Sequence, residues 1–240
     1  MKAKIFILFI FVLLGCKKGS IITNEDNVKI DSFILKNYLE DATHLYVQEI
    51  NNNSNHPNYN IAVLDTVEIN KILSSFQVVY NLKSKERDTV FNIYHIHALR
   101  CFSLNSIELK VNPSVPEVIN LVNGTRPTGD PKFDELLITY KFDSIRRSDY
   151  YPTFPWISIY TKESLNLIPI INSLKQLSCV LNASNNGVCF DGNDIILTRD
   201  GTKTMIDFSI GEGDCQAGCM FRRHWIFSVE QNIAKFEGNK

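Results

Sequence analysis

The stretch "GEGDCQAGCMFRRHWIF", residues 211–227, gathers two cysteines, two arginines, a histidine and a tryptophan within one short segment. Cys215 and Cys219 are separated by three residues, and zinc sites accept two to four residues between thiolates. His224 follows closely enough to add a nitrogen ligand. A second group of imidazoles, His95 and His97 in "YHIHAL", has the alternate spacing that sends both side chains to one face of a strand. Together, His95, His97 and His224 are the residues that metal-dependent hydrolysis would use. The same two cysteines could instead close a small disulfide loop. Arg222, Arg223 and His224 beside that loop form a cationic spot able to take an anionic ligand or a partner's carboxylate.

Catalysis needs more than these residue types. No H-E-x-x-H motif places an acidic base beside the imidazoles. No G-x-S-x-G elbow is present, and no order of serine, histidine and acid stands out. "GEGD" lacks the lysine and the helix of a phosphate loop. The expectation is therefore a non-catalytic chain with no metal and no cofactor. Whether the cysteines are thiols or a bridge depends on the compartment.

The N-terminus addresses the compartment. Lys2 and Lys4 precede the apolar run "IFILFIFVLLG", a charged and then apolar layout typical of a secretory signal peptide. A membrane-spanning helix would need about 20 apolar residues. "LLGC" at 13–16 resembles the lipobox of bacterial lipoproteins, with Leu14 standing where a smaller residue is usual. The resemblance implies cleavage of a signal peptide at 1–15, a diacylglycerol on the Cys16 sulfur, and acylation of the new amino group. The lipid bilayer is then a partner through Cys16, and the chain sits on the cell membrane or outer membrane, facing periplasm or exterior. Each buried methylene contributes about 0.8 kcal/mol, and two or more acyl chains hold where one does not.

Export makes disulfides the default state of the remaining thiols. Five cysteines are left after Cys16, so at most two bridges form within the chain. The spacing of Cys215 and Cys219, with Gly218 between them, favours a bridge in that loop. Cys179 and Cys189, which bracket "VLNASNNGV", are the expected second pair, leaving Cys101 as a buried free thiol. The rival pairing joins one loop cysteine to Cys179 or Cys189.

The elements that must position these residues follow from periodicity. Loss of residues 1–15 shifts the net charge from −1 to −3, without the basic surplus that a nucleic-acid partner would require. Residues 16–30 read as a lipidated tether. "DSFILKNYLEDATHLYVQEI" is helical, with Leu35, Leu39, Ala42 and Tyr46 on its apolar face. "LDTVEINKILSSFQVVYNL" is a second helix, with Asp65 and Glu68 placed as a capping box. "DTVFNIYHIHALRCF" and "SIELKVN" read as strands. The Pro-rich middle holds a short helix in "PKFDELLITYKF". "WISIY", "NLIPIINSLKQL" and "CVLNA" then read as strand, helix and strand. Asp200-Gly201 is the signal of a two-residue type I′ hairpin, and "HWIFSVEQ" and "IAKFEG" close a meander. The fold class is α+β, with helices packed on antiparallel sheets. An N-terminal part is expected at 31–150, and a C-terminal βαβ followed by a β-meander at 151–240.

Two further resemblances attach to these segments. "CFDGNDIILTRDG" through "IDFSIGEGDCQAGCMFRRHWIFSV" is similar to a recurrent C-terminal segment of secreted bacterial proteins and lipoproteins, with its Gly-Asp-Cys, Gly-Cys and downstream His-Trp. It implies topology and compartment but no catalytic residue. "WISIYTKESLNLIPIINSLKQLSCVLNASNN" resembles the prodomains of subtilisin-like proteases, small ferredoxin-like units, and implies docking against a protease. The functional expectation is a membrane-anchored lipoprotein acting as a non-catalytic binding or envelope-associated module. Its alternatives are the metal-dependent hydrolase and the protease-docking module. Cys16→Ser should abolish incorporation of labelled fatty acid and block lipoprotein-type processing. Persistent labelling would contradict the lipobox.

Overall fold

Asp31 and Asp65 each start a helix by accepting a backbone N–H two residues on, from Phe33 at 2.7 Å and Val67 at 2.8 Å. The aspartate side chain satisfies one of the donors that a helix start leaves unpaired. The helices are α1 (Ser32–Asn51) and α2 (Thr66–Tyr80). These come from a computed structural model that describes residues 28–215 and 218–239, so the signal peptide, Cys16 and most of the tether lie outside the described residues. The end of that tether joins the fold, because Val28 and Ile30 pack against the core. Glu68 does not close a capping box; its carboxylate pairs with Lys71 at 2.8 Å and Arg199 at 2.9 Å. The apolar stripe of α1 keeps its expected position at Ala42 and Tyr46, which are buried, but not in the first turns. Ile34, Tyr38 and Leu45 are buried, whereas Leu35 and Leu39 are 48% and 44% exposed. The stripe that turns inward carries Tyr38, whose ring packs edge-on against Phe76 of α2 at 5.7 Å.

The expected strand at 88–102 is absent. α3 (Lys85–Asp88) runs into a π-helical turn at Thr89–Ile93, and residues 95–102 belong to no strand. The reason is the adjacent pair Val90 and Phe91, both fully buried. A strand would send consecutive residues to opposite faces. The helical turn lets Phe91 reach Tyr38, Tyr80 and Phe208 together, at ring distances of 5.0, 5.5 and 5.3 Å.

Two antiparallel four-stranded sheets complete the α+β fold. The first contains β1 (Ser106–Val111), β2 (Ser144–Arg147), β3 (Trp156–Tyr160) and β4 (Val180–Asn185), in the order β2-β3-β1-β4. Between β1 and β2 lie α4 (Pro116–Val122) and α5 (Pro131–Thr139), and α6 (Ile168–Leu174) joins β3 to β4. The expected βαβ is therefore split, with β1 inserted between its two strands. The order of strands and crossovers is that of a ferredoxin-like β-α-β-β-α-β unit. α4 and β2 went unread in the Pro-rich middle. Pro116 opens α4 and Pro131 opens α5, where a missing N–H has no partner to lose. The helices cover one face of the sheet: Ile107, Leu109, Ile157 and Ile159 share a core with Val118, Phe133, Leu137 and Leu174.

The second sheet is a meander of β5 (Asp194–Asp200), β6 (Lys203–Glu212), β7 (Phe221–Glu230) and β8 (Ile233–Gly238). Its inner face, including Ile206, Phe208, Trp225 and Phe227, packs in one core with α1 and α2. The cores thus cut across the expected parts at 31–150 and 151–240. The first helices need the last sheet to cover their apolar faces, and β1 pairs with β3 and β4 across residue 150. The β5–β6 turn also differs from its expected form. Asp200 pairs with Lys203, so Gly201 and Thr202 are the central residues and only Gly201 has positive φ, at 58°. That is the pattern of a II′ turn. The I′ pattern falls instead between β7 and β8, where Gln231 and Asn232 have φ of 49° and 61°.

The ferredoxin-like unit is thus an insertion, leaving the helix-and-meander core near Leu99 and returning near Asp194. The two crossings are stitched together. Leu99 N–H donates to Asp194 Oδ1 at 2.8 Å. Asn185 accepts the Ser103 N–H at 2.7 Å and donates to the Ser103 carbonyl at 2.9 Å. Between these contacts, Cys101 is disulfide-bonded to Cys189. A Cβ at Gly187 would lie 2.6 Å from the Phe102 Cα, so the crossings approach closely enough to exclude any larger residue. This corrects the expected pairing: Cys179 does not bond Cys189, and the buried free thiol is Cys179 rather than Cys101. β4 begins directly after Cys179 and runs extended at about 3.3 Å per residue, which carries the two sulfurs apart. The Cys101–Cys189 bridge closes a separation of 88 residues, for which loop-closure entropy gives about 4.5 kcal/mol. Replacing both cysteines with alanine should lower the chemical-denaturation stability by a few kcal/mol, and a loss below about 1 kcal/mol would contradict the clasp.

Candidate functional site

The loop between β6 and β7 carries the side chains that the sequence singles out. Cys215 and Cys219 are bonded to each other, as their spacing suggests. Gly218 takes φ of 113° to bring the chain back. Gly211 lies so close under the Cys219 sulfur that a Cβ there would overlap it. The loop is then tied to the segment before β5. Cys219 N–H donates to Asp191 Oδ2 at 2.8 Å, and Arg222 Nη2 donates to Asp191 Oδ1. Arg222 Nη1 reaches Ser209 Oγ at 2.8 Å, and that hydroxyl donates to the Asp194 carbonyl at 3.3 Å. The N–H groups of Cys219 and Gly192, with Arg222, hold the Asp191 carboxyl below the ordinary aspartate range. Burial pushes Asp194 the opposite way.

The cationic spot therefore has its charges engaged. Arg222 pairs with Asp191, and His224 Nδ1 faces both carboxylate oxygens of Asp207 at 3.0 Å. Arg223 projects to the other face. It pairs with Glu212 and lies over the rings of Tyr94 and Trp225, at 5.6 and 5.9 Å from their centres. Sequence reasoning missed Asp191, Asp207 and Ser209, whose partners are known only once β6 and β7 are in register. Ser209 stands opposite His224 in that register, so acid, histidine and serine share one face. Their geometry does not support nucleophilic attack. Ser209 is 1% exposed, and its hydroxyl is engaged by Arg222 and the Asp194 carbonyl, whereas a nucleophile must meet its substrate and its base.

The other histidines behave similarly. His97 Nδ1 lies 2.6 Å from Asp41 Oδ2, and Asp41 Oδ1 accepts the Ala98 N–H at 3.1 Å. Arg100 Nη2 approaches the same carboxylate at 3.5 Å, and the His97 ring stacks on Tyr38 at 5.0 Å. Asp41 is fully buried, and a buried carboxylate persists only when such donors surround it. Its position was legible: Ile34, Tyr38, Asp41 and Leu45 recur at helical spacing, which puts an acid on the buried stripe of α1. His95 is exposed with φ of 45°, and it does not share a strand with His97. Among the described residues, no group of three or more His, Cys, Asp or Glu is arranged to hold a metal ion. Burial raises the Cys179 thiol to about 11, which keeps it protonated and unreactive.

Searches of protein-family models, curated proteins and solved structures give no match to this chain. The site is thus read from its geometry alone.

A carboxylate with a depressed pKa adds stability above its unfolded value, here 3.8, and loses it as pH falls through the lower folded value. Reduction of Cys215–Cys219 by a phosphine, which works in acid, should accelerate as pH drops below that range. Asp191→Asn should reduce several-fold faster at neutral pH and show a flatter acid dependence. Equal rates in the two proteins would mean that Asp191 does not hold the loop.

Proposed function

We propose that this chain is an exported lipoprotein of the bacterial envelope, anchored through acylated Cys16 and working as a binding module rather than a catalyst. One observation carries the binding role. The side chains around the disulfide loop pair with one another, whereas Glu108 and Arg146, beside Trp156 and Tyr160 on the uncovered face of the first sheet, have no ion-pair or side-chain hydrogen-bond partner among the described residues. Two disulfides support export, since reducing compartments keep thiols free. Among the described residues, no helix is long and apolar enough to cross a membrane, and attachment in this reading rests on Cys16. A second reading, docking to a protease, is favoured by the β-α-β-β-α-β order from β1 to β4, which includes residues 156–186 and is the architecture implied by the prodomain resemblance.

Membrane fractions should hold the chain with Cys101–Cys189 and Cys215–Cys219 intact on unreduced peptide mapping, and Cys179 should be alkylated only after unfolding. Recovery of a soluble protein with five free thiols would overturn the exported-lipoprotein reading. Inhibition of a subtilisin-type protease by the purified chain would put the docking reading in place of the general one.

A further inference from the structure

The first sheet has helices on one face only. Its other face carries the alternate residues of each strand, and the ladders define their layout. Arg146 of β2 and Glu108 of β1 both register with Ser158 of β3, one on each side. Trp156 and Tyr160 lie two residues before and after Ser158 on the same strand, so both project to the same face. The result is a shallow cup of about 220 Å³ whose lining includes Ser158, Trp156, Tyr160, Glu108, Arg146 and Arg147. Ser158 forms the floor. Glu108 and Arg146 stand two strand spacings apart, about 10 Å, and the two rings lie about 7 Å from the serine in either direction along β3.

The charges in this cup are uncommitted. Among the described residues, Glu108, Arg146 and Arg147 take part in no ion pair or side-chain hydrogen bond, unlike the arginines of the disulfide loop. Arg146 calls for an anion, and arginine recognises a carboxylate through parallel N–H donors, whereas Arg147 registers with the core residue Ile157 and so projects to the other face at the rim. Glu108 calls for the reverse, a group that donates hydrogen bonds. The two rings call for a flat apolar surface. An acidic peptide meets the first demand and is repelled by Glu108. A neutral sugar meets the second and third. A sugar ring bearing a carboxylate meets all three: its anion faces Arg146, its hydroxyls donate to Glu108, and its C–H face lies against Tyr160 or beside the Trp156 ring, over which Lys110 Nζ lies at 6.0 Å.

We infer that this sheet face is a binding site for an acidic saccharide, a uronate-containing glycan of which the cup holds one ring. The cup is smaller than the roughly 300–1,000 Å³ clefts that enclose drug-sized ligands, so the remaining rings of the glycan run outward across the open sheet. This inference rests on the binding-module reading and supplies its ligand class.

The chain has two tryptophans, and Trp225 is 8% exposed in the core, so surface quenching reports Trp156. Full-length protein in detergent is titrated with oligogalacturonate, with its neutral methyl ester, and with poly-glutamate. Oligogalacturonate should change the emission saturably, with weaker binding at high salt. The methyl ester should bind at least about tenfold more weakly, because the charge-assisted bonds to arginine are lost. Arg146→Ala should show a similar loss while its thermal melt stays unchanged, and Trp156→Phe should retain calorimetric binding without the optical signal. Equal affinity for the ester would overturn the inference, as would silence with oligogalacturonate. Binding of poly-glutamate through Arg146 would also overturn it, but would leave a binding module for acidic peptides. Membrane fractionation and unreduced mapping test the anchored-lipoprotein reading separately.

Discussion

The architecture depends on two stretches of chain lying side by side, one leaving the helix-and-meander core at Leu99 and one returning at Asp194. Without that contact, the ferredoxin-like unit would be a long loop whose closure costs entropy. The unit itself brings its ends together. β1 begins where β4 ends, since Ile107 registers with Asn185, so its termini emerge at one end of the sheet. The Asn185 side chain then extends the ladder to Ser103, and the Cys101–Cys189 bridge locks the crossings. Asn166 fastens the unit a second time. It is fully buried, and its amide donates to the carbonyls of Tyr59 at 3.0 Å and Ile61 at 3.2 Å in the loop after α1.

Polar groups fall into two populations. Asp41, Asn166 and Asp191 each satisfy several partners from distant parts of the chain and fix one segment against another. Such groups are costly to bury alone and stabilise only when fully paired. His97, His224 and Arg222 belong to this population, each paired with an aspartate from another part of the chain. Glu108 and Arg146 are the second population. They are charged, lie beside aromatic rings, and among the described residues have no ion-pair partner and no helix over their sheet face. This contrast moves the functional reading from the cysteine loop to the other sheet.

Legibility of the fold followed the range of the interactions. Both long helices, the Asp65 cap and seven of the eight described strands could be read from local spacing and turn residues, because these depend on neighbours within a few positions. The errors arose wherever a distant partner decided. The α1 stripe turned toward Tyr38 because Phe76 and Phe91 wait there. The stretch at 88–102 gave up a strand because Val90 and Phe91 must both enter the core. β2 and α4 were hidden in a Pro-rich segment whose prolines sit at helix starts.

The sequence by itself determined the α+β class, the meander, and the Cys215–Cys219 loop, each set by periodicity or by a separation of a few residues. Tertiary structure alone decided that residues 106–185 fold as an insert, that Cys189 meets Cys101 rather than Cys179, and that Glu108, Ser158 and Arg146 share one row. None of these is encoded locally. Each depends on which strand lies beside which, and strand order is chosen by the burial of whole apolar faces rather than by any short run of residues.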